Sequence, residues 1–328
     1  MKAPHHFKSV SYKGLTDGPR LIVTGAVHGN EVCGTIAITR AMAEIDRGEF
    51  PIRAGEVTFV PITNPLAFER RERAGDRNLN RNLAPTEHPR DFEDHVANWL
   101  CPLLARHEVL LDLHSTRAAT EPFAMLGPPD NPGPLEPFRH SQKERALARA
   151  LGVKRFVEGW LGTYAKGVER RVKAGLGGGL NTDPKYGVGT TEYMRSVGGY
   201  AMTLECGQHE SPSSPEVAYR AIRNALAHLG ITGEPAPAQV DKYEALRIHE
   251  VVDRAHENDR FSRTWASFDA LSKGDVIGTR HDGTQVVAER DGWILFPDVG
   301  AKPGHEWFYL AEAGEDSRAA GRTYTRAF

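Results

Sequence analysis

The chain has 328 residues, a formal net charge of −2, 26% charged and 40% apolar side chains, an ordinary globular composition long enough for two domains. The near-neutral balance argues against nucleic acid as a partner, and no run approaches the roughly 18 apolar residues of a membrane helix. Three widely spaced cysteines (Cys33, Cys101, Cys206) fit neither a disulfide framework nor a thiolate metal site. The opening MKAPHHFKSVSYKG lacks the apolar core of a signal peptide, so the cytoplasm is the expected location.

Taken in order, RLIVTGAV (20–27) reads as a buried strand and NEVCGTIAITRAMAEI (30–45) as a helix, from its apolar spacing. EVTFVPI (56–62) is the next strand, DFEDHVANWLCPLLAR (91–106) a helix, and EVLLDLH (108–114) a short buried strand. YAMTLE (200–205) is strand-like. SPEVAYRAIRNALAHLG (214–230) opens on Ser-Pro and closes on glycine, as helices do. Strands alternating with helices predict an α/β domain over 1–230 with a mixed, largely parallel sheet flanked by helices. The Pro- and Ala-rich 231–240 reads as a linker. From 241 to 328 short apolar runs separated by Gly and Asp-Gly turns predict a smaller all-β domain.

Four stretches carry chemistry: VHGNE (27–31), the arginine-rich NPLAFERRERAGDRNLNR (64–81), LDLHST (111–116) and TLECGQ (203–208). Three end a predicted strand, the edge at which open α/β sheets build their sites. His28, Glu31 and His114 offer two imidazoles and a carboxylate, which would leave a fourth position of a tetrahedral zinc ion for water. His28 is expected to end its strand and Glu31 to lie in the first helical turn. Asp112, two residues before His114, is expected to hydrogen-bond the far nitrogen of a ligand imidazole, that of His28. Glu205 is the natural general base, although a glutamate closing a strand is as often simply paired with an arginine. The arginine-dense loop reads by itself as a solvated surface; its place at the same sheet edge turns it into a binder of carboxylates or oxyanions. His-x-x-Glu alone is a weak signal, and the four stretches in this order are a far more specific one.

That order, HGNE, then NP…R…DRNLNR, then DLHST, then RS…ECG, resembles the succinylglutamate desuccinylase/aspartoacylase family, a branch of the zinc carboxypeptidase-like hydrolases. The resemblance spans about residues 20–210. It implies that His28, Glu31 and His114 hold one Zn2+ per chain, that Glu205 is the catalytic glutamate, and that Arg73 polarises the scissile carbonyl. It implies that Asn80, Arg81 and Arg195 bind the substrate carboxylate, joined by a tyrosine of the C-terminal domain, Tyr309 or Tyr324. A homodimer would be in keeping with it. ECGQHE departs from the Pro-Gln-type sequence of some members, and 174–190 is longer and richer in glycine than expected.

The resulting expectation is zinc-dependent hydrolysis of a small N-acyl amino acid. The rivals are a zinc carboxypeptidase acting on peptides and a non-catalytic binder of metal or metabolite. GLGGGL (175–180) lacks the phosphate-loop pattern and reads as a flexible loop or, more sharply, a lid. Cys206, next to Glu205 on a strand, should face the other way into the core. Cys33 should pack on its helix. His209 is notable only for its closeness to Glu205. The β tail has lipoyl-like turns without the lysine hairpin and reads as structural, a roof for the site.

Overall fold

The computed structural model describes residues 6–314 except 174 and 176–182. Strands β1 (Val10–Lys13) and β2 (Thr16–Gly25) lead into α1 (Cys33–Asp46). β3 (Ala54–Val60) precedes a short α2 (Pro65–Arg70), a loop, α3 (Phe92–Ala105) and β4 (Val109–Thr116). β5 (Phe123–Met125), α4 (Ser141–Ala150), β6 (Arg155–Glu158), α5 (Trp160–Lys173) and α6 (Thr190–Ser196) bring the chain to β7 (Tyr200–Gln208) and α7 (Ser214–His228). The strands β8 (Glu244–Asp253), β9 (Arg260–Phe261), β10 (Ala270–Leu271), β11 (Val276–Thr279), β12 (Gln285–Val287), β13 (Gly292–Leu295) and β14 (Glu306–Ala313) follow.

The main sheet runs β1-β3-β2-β4-β7-β5-β6-β8-β14-β13-β10. Its centre, β3-β2-β4-β7, is parallel, and β4 is buried on both faces, as parallel strands between helical layers are. Alternation sorts the side chains. Leu111 and Leu113 of β4 and Met202 and Leu204 of β7 join α1 and α7 in one core layer. Leu110 and Ala201 join α3 in the other. Asp112, His114 and Glu205 share the parity of Leu110 and Ala201, so they lie on that second face. Cys206 goes the opposite way into the first layer with Cys33, as expected.

The mixed, largely parallel sheet with flanking helices is the fold read from the sequence. From 241 onward every named element is a strand. These strands do not stand apart from the sheet: β8 pairs parallel with β6, and β14 continues it antiparallel. β9, β11 and β12 form a second, three-stranded sheet, and Trp307 and Phe308 are buried in the core beneath it.

The expected boundaries around the first site loop need correction. β2 ends at Gly25, three residues before His28, and α1 begins at Cys33, after Glu31. Both residues lie in one turn, closed by the Glu31 amide donating to the His28 carbonyl (3.1 Å). Ala26 sits at φ +49°, a left-handed conformation that costs a non-glycine residue free energy and bends the chain off the sheet here. At Gly29 a Cβ would lie 1.9 Å from the Ala67 carbonyl carbon, so only glycine lets this turn rest on α2.

Candidate active site

His28, Glu31 and His114 are buried and offer ligand atoms all within 4.8 Å of one another. Each imidazole turns Nδ1 to the carboxylate: His28 to Glu31 Oε1 and His114 to Glu31 Oε2, both at 2.8 Å. The far nitrogens are fixed. His28 Nε2 meets Asn78 Oδ1 at 3.0 Å, and that oxygen also accepts the Asn80 amide (2.9 Å), which settles the orientation of the Asn78 amide. His114 Nε2 meets Asp112 Oδ2 at 2.8 Å. With Nε2–H donating outward in both rings, two Nδ1 lone pairs converge on one point. Two imidazoles and a carboxylate so disposed fit a divalent ion of borderline softness.

Asp112 therefore holds His114, not His28 as expected. It lies two residues from His114 on the same face of β4, whereas His28 has left the sheet and finds Asn78 in the arginine loop. Thr24 and Thr190 donate to the two oxygens of Asp112. Burial works against a charge on His114, but Asp112 and Glu31 outweigh it and hold its pKa well above the usual value. At His28 burial, aided by Arg73, wins and lowers the pKa to about 4.

Glu205 pairs in register with His114 across β4 and β7. It is 7% exposed, it lines the same cavity, and its Oε2 is buried without a hydrogen-bond partner. Burial raises its pKa to about 8, with His114 opposing and Glu31 adding to the rise. Among the described residues no arginine pairs with it, so the simple ion-paired strand end does not describe it. An unpartnered buried carboxyl is costly to maintain and points to a group that acts on what enters the cavity.

The arginine loop is an ordered scaffold. Buried Glu93 of α3 accepts the amides of Gly75, Asp76 and Arg77 (3.0–3.1 Å) and the side chain of Asn64 (2.8 Å). Arg77 ties the loop to Asp91 and Asp94 at the start of α3, both at 2.9 Å. Arg73, half exposed, reaches Glu31 Oε1 at 3.1 Å and turns the rest of its guanidinium toward the cavity. Asn80 caps α6 by accepting the Thr190 amide (2.8 Å). At Gly189 a Cβ would fall 2.0 Å from Asn80 Oδ1, which makes glycine the residue that admits this contact. Arg81 is buried, with Trp160 and Tyr164 rings 5.0 and 5.4 Å from its guanidinium carbon. It pairs with Glu306 of β14 at 3.2 Å.

Arg195 lines the cavity but does not offer the free guanidinium expected of it. Its donors go to Glu144 (3.0 and 3.1 Å), Glu136 (2.9 Å), Glu192 (3.4 Å) and the Ala201 carbonyl (3.0 Å). Three carboxylates consume it, two of them from a segment, 136–144, to which sequence reading assigned nothing. Tyr309 lines the cavity with its hydroxyl buried and unpartnered; Tyr324 lies outside the described residues, as does most of the glycine-rich stretch. Phe296, Pro297 and Asp298 of the connection after β13, and Glu306 of β14, also reach the cavity. Sequence reading missed Asn78, Thr190, Glu93, Trp160 and Glu306. Only Asn78 carried a signal, its place beside Asn80 in the loop. His209, flagged but unassigned, bonds Ser115 Oγ (2.9 Å) and Asn30 Nδ2 (3.3 Å) and bridges the residues adjoining two of the donors.

A two-histidine, one-carboxylate donor set beside a buried free glutamate, at the carboxyl edge of a mostly parallel sheet, is the arrangement a metallohydrolase needs. The comparisons with known proteins give a family likeness. Residues 17–158 match the succinylglutamate desuccinylase/aspartoacylase catalytic domain, so the resemblance read from the motifs holds. Three solved structures share the fold over most of both chains. A succinylglutamate desuccinylase/aspartoacylase from Rhodobacter sphaeroides superposes with a TM-score of 0.69 at 18% identity, covering 94% of this chain and 90% of that one. The product-bound ectoine utilization protein EutE (DoeB) from Ruegeria pomeroyi gives 0.68 at 21%, covering 92% and 88%. Succinylglutamate desuccinylase from Vibrio cholerae gives 0.67 at 20%, covering 92% and 84%. No curated protein matches the chain. No helix among the described residues is long and apolar enough to cross a membrane.

Proposed function

We propose that this chain hydrolyses the amide bond of a small N-acyl amino acid with the help of one Zn2+ held by His28, Glu31 and His114. The observation that carries the reading is Glu205: a buried carboxyl with a free oxygen, one strand over from a metal-donor histidine and in the same cavity. When bound, zinc supplies Lewis acidity, which makes water acidic and polarises a carbonyl. The chain does the rest. Glu205 takes the proton of the attacking water and returns it to the leaving amine. Arg73 directs its guanidinium at the developing oxyanion. The Asn80 amide and Arg81 receive the substrate carboxylate, with Tyr309 in the same wall.

Residues of the C-terminal strands close one side of the cavity, which favours a small substrate over a peptide running through an open cleft. All three cysteines are free and buried, in keeping with a reducing cytoplasm.

The test is amine release by zinc-loaded protein from N-acetyl, N-succinyl and longer N-acyl amino acids, with short peptides alongside and metal content measured. Glu205→Ala should retain metal and lose hydrolysis, and His114→Ala should lose both. A metal-replete Glu205→Ala protein with full activity would overturn the mechanism, and release from peptides alone would give the site to a carboxypeptidase.

A further inference from the structure

Arginine density suggested a cavity hungry for carboxylates, and two of the structural relatives above are named for dicarboxylic amino acids. The charges point elsewhere. Each of the four arginines that line the cavity already has a carboxylate of the chain beside it. Arg117 has Asp298 (3.4 Å), Arg73 has Glu31 (3.1 Å), Arg81 has Glu306 (3.2 Å), and Arg195 has three. Arg73 and Arg81 are assigned above to the oxyanion and to one substrate carboxylate, and among the described residues the other two arginines of the cavity, Arg117 and Arg195, each face carboxylates of the chain.

The outer subsite is built for the opposite charge. Glu306 is half-buried against Arg81 and lines the cavity, with a fifth of its side chain exposed. Trp160 faces the same Arg81 guanidinium in the cavity wall and packs on Tyr309, ring centroids 5.3 Å apart. The Tyr309 hydroxyl is buried with no partner, an acceptor with nothing to accept. A carboxylate, an idle hydroxyl oxygen and aromatic faces are the groups that recognise an ammonium ion, by charge-assisted hydrogen bonds and cation–π attraction. Arg81 beside Glu306 presents donor and acceptor together, complementary to a substrate that carries one carboxylate and one ammonium.

We infer that Glu306, with Trp160 and Tyr309, selects N-acyl amino acids that keep a free ammonium group and disfavours those with a second carboxylate. This rests on the hydrolase reading above and narrows its substrate. The residues act by binding and orienting the non-reacting end; no bond to them forms or breaks.

The experiment uses full-length, zinc-loaded protein and acetylated substrates matched in length. Nα-acetylornithine has a side-chain ammonium, Nα-acetylnorvaline a methyl group and Nα-acetylglutamate a carboxylate. Nδ-acetylornithine moves the ammonium to the α-carbon and tells which position the subsite reads. Either ornithine derivative should exceed the norvaline one by about tenfold or more in kcat/KM, a preference of the size one charge-assisted contact gives, and the glutamate derivative should be the poorest. Glu306→Gln should collapse that order toward equality, while Glu306→Asp, which keeps the charge, should preserve its direction. Calorimetric titration of free ornithine, norvaline and glutamate into the same proteins gives a readout independent of turnover and of a variant's loss of activity. Equal rates and affinities across the series in the wild type, or a preference for glutamate, would overturn the inference while leaving hydrolysis standing. Silence from every acyl substrate with metal bound would instead sink the hydrolase reading, and the binding order would still decide the charge preference.

Discussion

The two ends of the cavity are built differently. At the inner end, His28, Glu31, His114 and Glu205 come from strand ends and one turn of the parallel half of the sheet. Buried hydrogen bonds from Asn78, Asp112, Thr24 and Thr190 fix them. At the outer end, Arg81, Arg195, Trp160, Tyr309 and Glu306 come from both halves of the chain, and charge pairs hold the two arginines. The Arg81–Glu306 pair joins residues 225 apart in sequence. The inner end is stiff because its partners are short and buried. The outer end is adjustable, because exchanging one carboxylate changes the charge the cavity presents without moving a strand. Chemistry and selectivity are therefore separable, and mutations should divide along that line.

The largest expected effect is at Asp112. Asp112→Ala removes the carboxylate that orients His114 and leaves Thr24 and Thr190 facing a void. Metal affinity should fall about 10–100-fold, the usual range for a partner of a ligand histidine. Asn78→Ala should do the same to His28, toward the lower end of that range, because a neutral amide orients the ring without adding charge. Equilibrium dialysis against a zinc chelator measures both. If either protein binds metal like the wild type, the inner end is not held as described. Glu306→Gln makes the reciprocal check: metal affinity within about twofold of wild type, since changes at distant sites act independently.

A smaller effect, on stability, is expected at Glu93, which organises the arginine loop without touching the cavity. Glu93→Ala strips partners from three amides and one side chain, and should cost about 2–4 kcal/mol in urea unfolding. KM should rise as Arg73 and Arg81 lose their footing. A variant with wild-type stability would mean that the loop is ordered by Arg77 and its aspartates alone.

The inner end was legible in the sequence because each donor follows an apolar run whose end is visible. His114 and Glu205 close strands that read as buried, and Glu31 stands three residues after His28. What alternation cannot supply is the neighbour across the sheet. It gave the face of Asp112 correctly but not its partner, because His28 leaves the strand at Ala26 through a left-handed bend that no pattern marks. The outer end was legible only as residue types. Arg195 stands where the resemblance wants a carboxylate binder, yet Glu136 and Glu144, more than fifty positions away, decide what it can bind. Glu306 belongs to no motif, and its meaning comes from β14 lying beside β8, far from Arg81 in the chain.

The smallest effect tests the charge pairing itself. Burial lifts the pKa of Glu136 to about 7 against the pull of Arg195, with Glu192 and Glu144 adding to the rise. A carboxyl with a folded-state pKa above its unfolded value of 4.5 binds its proton more tightly in the folded protein. Its contribution to stability is therefore complete below about pH 4.5 and is lost as the pH rises through about 7. Glu136→Gln imitates the protonated carboxyl and still offers Arg195 an oxygen. It should match the wild type near pH 5 and melt about 2–4 °C higher near pH 8.5, a gain of about 1 kcal/mol. Scanning calorimetry at the two pH values reads the difference. A variant that is less stable at pH 8.5 than at pH 5 relative to wild type would mean that Glu136 stays ionised as an ordinary partner of Arg195. The carboxylates around that arginine would then be a plain salt-bridge network, and the surplus of negative charge at the outer end would have to be sought at Glu306 alone.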